Sequence, residues 1–259
     1  MSQVAEVLLK NRENGRGTLV GYFPAGFPTV EDSAQALISM AKNGCDILEV
    51  GVPYSDPVMD GLVIQQATET ALQNGFKLGQ VFDVIRRVRE EIDTPILVMS
   101  YWNPVLRFGV EEFAENLKSS GAQGMITPDL IPDEGADWIS ASTQEPLDRV
   151  FLVAPSSSDA RVKTNADLSS GFVYSVSTMG ITGERTELDK LARNLTARVK
   201  AASSTPTCVG VGISNADQVR EVNSYADGAI VGTAFVKAYQ SGGLDALTAK
   251  TRELALGLG

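Results

Sequence analysis

The sequence contains no histidine. That excludes serine–histidine–aspartate and cysteine–histidine nucleophilic sites, imidazole-ligated zinc and any histidine general base. Proton transfer therefore falls to Asp, Glu, Lys, Tyr or Cys. Cysteine is nearly as scarce: Cys45 and Cys208 stand far apart in apolar surroundings. Two thiols make neither a disulfide framework nor a four-thiolate zinc site, and they read as core thiols in a reducing, cytoplasmic compartment. Positive charge is also short, with 22 Lys+Arg against 32 Asp+Glu and a net charge of -10. Such a chain offers no basic face to nucleic acid or to an anionic membrane. No run approaches the ~18 apolar residues of a membrane span, and MSQVAEVLLKNRENG has no basic n-region. Neither a signal peptide nor a transmembrane helix is expected. The nine lysines all fall in predicted helices or outer loops, which argues against a Schiff-base lysine at a strand end. No cluster of acids stands at metal-ligand spacing, so no metal is expected.

What the chain does have is alternation. Short apolar runs recur at Thr18–Phe23, Asp46–Val50, Pro95–Tyr101, Gly124–Thr127, Arg149–Ala154, Gly171–Ser177, Thr207–Val211 and Gly228–Gly232. Most are apolar at consecutive positions, the pattern of strands buried on both faces. Helical stripes lie between them. Val81, Val84, Ile85, Val88 and Ile92 form one, and Val110, Phe113, Ala114 and Leu117 another. Eight strand–helix units in 259 residues predict a (β/α)₈ barrel, a single domain over 1–259. An extra helix is expected at Met1–Asn11 and a closing one at Leu244–Leu258. A doubly wound sheet is the rival, but no glycine-rich fingerprint follows the first strand.

A barrel carries its site at the C-terminal ends of its strands. Glu49 ends the second strand among Ile47, Leu48 and Val50. Burial there would raise its pKa into a useful acid–base range; alternatively it only satisfies backbone donors. Asp60 follows in the loop, as a second carboxylate or as a simple helix cap. Glycines recur at the ends of the last three strands: Gly180 and Gly183, Gly210 and Gly212, and Gly232 before Thr233. Glycine lets backbone N–H groups close on a phosphate, and a helix N-terminus adds a positive dipole end. Ser214 and Asp217 have capping-box spacing. The Pro-rich loop Pro53–Met59 suits a docking surface, with Pro53 and Asp56 as interface candidates. Asp56 could equally make an Asx turn before Pro57.

The segments LEVGVPYSDPVMDGLVIQ (48–65), PDLIPDE (128–134), FLVAPSSS (151–158), GFVYSVSTMGITG (171–183) and VGVGIS (209–214) resemble the tryptophan synthase α-subunit family. The likeness runs in order over nearly the whole chain. Its most specific motif is Glu-x-Gly-x-Pro-x-Ser-Asp-Pro-x-x-Asp-Gly, from Glu49 to Gly61. The resemblance implies a (β/α)₈ barrel that cleaves indole-3-glycerol phosphate to indole and glyceraldehyde 3-phosphate. It implies an αββα complex with a β subunit that carries pyridoxal phosphate, and no cofactor in this chain. Catalytic roles would fall on Glu49, Asp60 and Tyr174. Phosphate contacts would fall on Gly183, Gly212, Gly232 and Thr233, and indole contacts on Tyr22, Met99, Thr127 and Asp129. Thr182 would be the threonine of the mobile loop. The chain departs from common family residues at Met59, Leu62 and Thr178, which bears on loop closure and partner signalling rather than on chemistry.

The chemistry is consistent with these residues. A retro-aldol cleavage needs an electron sink, and the indole ring supplies one once C3 is protonated. That requires a group that gives and takes protons, Glu49, and a carboxylate on the ring N–H, Asp60. The alternatives are a stand-alone lyase that releases indole, and a non-catalytic barrel kept as an allosteric subunit.

Overall fold

The computed structural model describes residues 2–176, 185–210 and 212–259, with the backbone alone for 185–189. Eight parallel strands close into a barrel: β1 (Leu19–Pro24), β2 (Ile47–Gly51), β3 (Ile96–Met99), β4 (Gly124–Thr127), β5 (Asp148–Val153), β6 (Val173–Val176), β7 (Thr207–Gly210) and β8 (Gly228–Val231). β8 pairs back onto β1 through Leu19, Val20 and Gly21. The fold is the expected (β/α)₈ barrel.

The consecutive apolar positions have a simple cause. Val20, Ile47, Leu97, Ile126, Val150, Phe172, Cys208 and Ile230 pack together inside the barrel. Their strand neighbours Leu19, Leu48, Ile96, Met125, Phe151, Val209 and Ala229 pack outward under the helices. Successive side chains point to opposite faces, and here both faces are covered. Cys45 and Cys208 are buried free thiols.

Strand ends differ from the expected runs where local chemistry intervenes. β3 is shorter than Pro95–Tyr101, because Pro95 has no N–H to donate and Tyr101 already caps the helix Trp102–Phe108. The helix Gln80–Arg89 buries Val81, Val84, Ile85 and Val88. The helix Val110–Ser120 buries Phe113, Ala114 and Leu117 and stops at Gly121, whose φ of 95° is left-handed. The closing helix begins earlier than Leu244. It runs from Thr233 to Ala255 and breaks at Gly242–Gly243, so Leu244 opens its second half. The capping pair also differs from expectation. Asn215, not Ser214, caps the helix Ala216–Asn223, accepting from Gln218 N at 3.0 Å. Gln218 Oε1 in turn accepts from Ser214 N at 2.6 Å.

The N-terminal helix spans Gln3–Glu13, capped by Ser2. Its buried Val4 and Leu8 belong to the same cluster as the barrel interior, so it closes the barrel at the N-terminal ends of the strands. Arg12 anchors it to Asp227 at 3.1 Å, and Asp227 also accepts from Thr207 N at 2.8 Å.

Candidate active site

At the opposite end, where the strands terminate, a cavity of about 440 Å³ opens. β2 brings Glu49 to its wall, in register with Tyr22 on β1 and Leu97 on β3. Glu49 is 1% exposed. Neither carboxyl oxygen has a hydrogen-bond partner among the described residues. Burial without a counter-charge disfavours ionisation and pushes its pKa up to about 8.

Asp60 lies in the loop between β2 and the helix Leu62–Gln73, which starts with Leu62 after the N-cap Gly61. Its backbone is held by Gln65 Nε2, which donates to Asp60 O at 2.7 Å. Burial raises its carboxyl to about 6, while a hydrogen bond from the Tyr101 side chain pulls the other way. The two carboxyls thus titrate in different ranges within one cavity, the arrangement that separates acid from base roles.

Tyr22 and Tyr174 also line the cavity. Both phenols are held well above their ordinary pKa, first by burial, then by Asp60 for Tyr22 and by Glu49 for Tyr174. They remain neutral O–H groups. Met99 on β3, Gly212, Gly232 and Thr233 complete the expected set on the wall. Gly212 has a φ of 69°, and a Cβ there would meet nothing within 4 Å. Gly232 caps the helix that starts at Thr233, so a helix N-terminus with free N–H groups abuts the cavity.

The remaining expected residues sit elsewhere. Thr127 follows the interior residue Ile126 on β4, so it points to the outer face; its place on the wall is taken by Pro128. Asp129 is not on the wall either: its Oδ1 accepts from Trp102 N at 2.9 Å and caps that helix. Thr178, Thr182 and Gly183 lie outside the described residues. Pro53 is buried and Asp56 exposed. The Asp56 carboxylate accepts from Ser55 Oγ at 2.6 Å.

Sequence reasoning missed Leu152, Ile230 and Ile64, which give the wall its apolar character. Leu152 was detectable, since it stands two positions beyond the interior Val150. Tyr101 was also missed. Its hydroxyl accepts from Met59 N at 2.8 Å, which leaves its single O–H proton for Asp60. Among the described residues no three Cys, Asp or Glu side chains group as metal ligands, and no helix is long and apolar enough to cross a membrane.

A parallel barrel with two displaced carboxyls and a glycine-framed helix N-terminus at its C-terminal mouth defines the class: a TIM-barrel enzyme built for a phosphorylated substrate. The comparisons narrow this. The family model described as "Tryptophan synthase alpha chain" matches residues 8–256. A tryptophan synthase alpha chain of Leifsonia xyli is 53% identical over 257 residues, 99% of this chain and 98% of the relative. A crystal structure of tryptophan synthase from M. tuberculosis superposes with a TM-score of 0.93 at 44% identity, covering 100% of each chain. A tryptophan synthase complex from Pyrococcus furiosus superposes at 0.84 with 34% identity, over 92% of this chain and 98% of the other. The chain belongs to the tryptophan synthase alpha chain family. It is a lyase of the alpha reaction, cleaving indole-3-glycerol phosphate in tryptophan biosynthesis, and works with a beta subunit.

Proposed function

We propose that Glu49 and Asp60 carry this reaction in the cavity at the strand ends. The observation that carries the reading is Glu49: a buried carboxyl on a cavity wall, with both oxygens unpartnered among the described residues. It retains its proton near neutral pH and can give it to a ring carbon. The phosphate rests on backbone N–H groups near Gly212, Gly232 and Thr233. The indole lies against Tyr22, Met99, Leu152 and Ile64, and Tyr174 stands beside Glu49.

Glu49 protonates indole C3 while the Asp60 carboxylate holds the ring N–H. The bond from C3 to the carbinol carbon then breaks, and its electron pair restores the ring. The carbinol hydroxyl proton passes to the Glu49 carboxylate as the aldehyde forms. Glu49 ends protonated, as it began, and indole and glyceraldehyde 3-phosphate leave. These steps draw only on side chains of this chain, so no cofactor is assigned to it; pyridoxal phosphate belongs to the beta partner.

The partner is read as docking at the same mouth, over Pro53 and Asp56, in an αββα assembly in the cytoplasm. Val58 and Leu62, 79% and 75% exposed, flank Asp60 and support this. Residues 1–259 act as one domain. The test is indole release from indole-3-glycerol phosphate by the purified chain, with Glu49→Gln as control. Release by the variant at more than about a tenth of the wild-type rate overturns the assignment, because removing a positioned acid–base group costs about 10²–10⁴-fold.

A further inference from the structure

The ring of Tyr22 is bounded by glycine on both sides, at the end of β2 and just past the end of β8. On β2, a methyl group placed on Gly51 would lie 2.1 Å from Tyr22 Oη and 2.5 Å from both Cε2 and Cζ. These are its three nearest neighbours. Just past β8, one placed on Gly232 would lie 3.2 Å from Tyr22 Cδ1 and 3.4 Å from Cβ. The phenol therefore occupies the volume that a side chain at position 51 would need. Gly51 lies inside β2 and is not among the positive-φ glycines. Its backbone does not require glycine; the space above it does.

We propose that Gly51 is a specificity-determining position that acts through Tyr22, setting the width of the cavity where the planar aromatic end of the substrate lies. The inference rests on the lyase reading above. With any side chain at 51 the phenol must leave β2. Gly232 already lies in near contact on the β8 side, and close packing forbids overlap. The remaining direction is the cavity, whose wall includes Glu49 and Asp60. Of the proposed phosphate glycines, Gly232 borders the ring while Gly212 is clear of it, with nothing within 4 Å of an added methyl group.

The experiment compares wild type, Gly51→Ala, Tyr22→Leu and the double variant. Gly51→Ala is expected to raise KM for indole-3-glycerol phosphate by about tenfold or more, the scale of one misplaced methyl-sized group in a binding pocket. Its affinity for glycerol phosphate should stay within about twofold, since that probe does not reach the aromatic end. In the Tyr22→Leu background the same Gly51→Ala change should cost little, because the clashing ring is gone. An equal cost in both backgrounds, or an unchanged KM for Gly51→Ala, overturns the proposal. If Gly51→Ala alone fails to fold, the double variant must fold, and failure of that rescue also overturns it. Indole binding by the four proteins, read by thermal shift, tests the same coupling without turnover. A wild type that binds indole with the expected coupling but cleaves nothing refutes the lyase reading and leaves the role of Gly51 standing.

Discussion

Replacing Glu49 by Gln should remove activity and strengthen the fold at the same time, and the second effect has a defined pH dependence. In the unfolded chain Glu49 ionises near its ordinary 4.5; in the folded chain it holds its proton to about 8. Below 4.5 both states are protonated and the group contributes no difference. Above it the unfolded state gains from ionisation while the folded state does not. Stability contributed by the protonated form is therefore lost as pH rises from 4.5 to about 8. The loss runs at about 1.4 kcal/mol per pH unit, on the order of 4–5 kcal/mol across the window. Glutamine fills a similar volume and cannot ionise. The assay is urea unfolding of both proteins at about pH 5 and about pH 8, with lyase rates on the same preparations. The stability advantage of Glu49→Gln over wild type should be small at the lower pH and several kcal/mol larger at the higher one, with the rate down by about 10²–10⁴. An advantage that does not change with pH would show that Glu49 is not held neutral, and the proton-donor role would fall with it.

Three further outcomes follow from the same geometry. The pH profile of kcat/KM should be a bell, falling below about 6 as Asp60 takes up a proton and above about 8 as Glu49 loses one; Tyr101→Phe should move the acidic limb upward, because the lost hydrogen bond favours ionised Asp60. Gly212→Val should weaken glycerol phosphate binding by at least about tenfold, since a β-branched side chain resists a φ of 69° and projects where the phosphate is placed; wild-type affinity by equilibrium dialysis would put the phosphate elsewhere. Asp56→Ala should leave the basal lyase rate near normal and sharply reduce its stimulation by a beta subunit. Equal stimulation of variant and wild type would remove Asp56 from the contact.

The barrel was legible because its signal is local. A strand covered on both faces must be apolar at consecutive positions, and β1, β2 and β4 announce themselves that way. Glu49 stood out for the same reason, as a carboxylate inside an apolar run. The Tyr101–Met59–Asp60 contact left no comparable trace: it joins residues about forty positions apart, through one hydroxyl, across a loop whose path no periodicity specifies. Thr127 shows how much hangs on register at a strand end. On a strand of period two, a shift of one residue turns a wall residue into an outer one, and here Ile126 and Pro128 face inward instead. The capping pair failed by the same single step, because Asn215 and Ser214 are both competent caps and only the backbone turn chooses between them.

The helix that seals the barrel floor through Val4 and Leu8 makes the cavity blind-ended on that side, so that among the described residues it opens at the neck where the strands end. If that neck serves substrate and both products, traffic through it is sequential. In the pose proposed above, indole on the apolar wall shares that neck with the triose phosphate. Any protein seated on that neck becomes the gatekeeper of both departures. It can draw off the hydrophobic product before water does, and hold the charged one back, without contributing an atom to the bond cleavage.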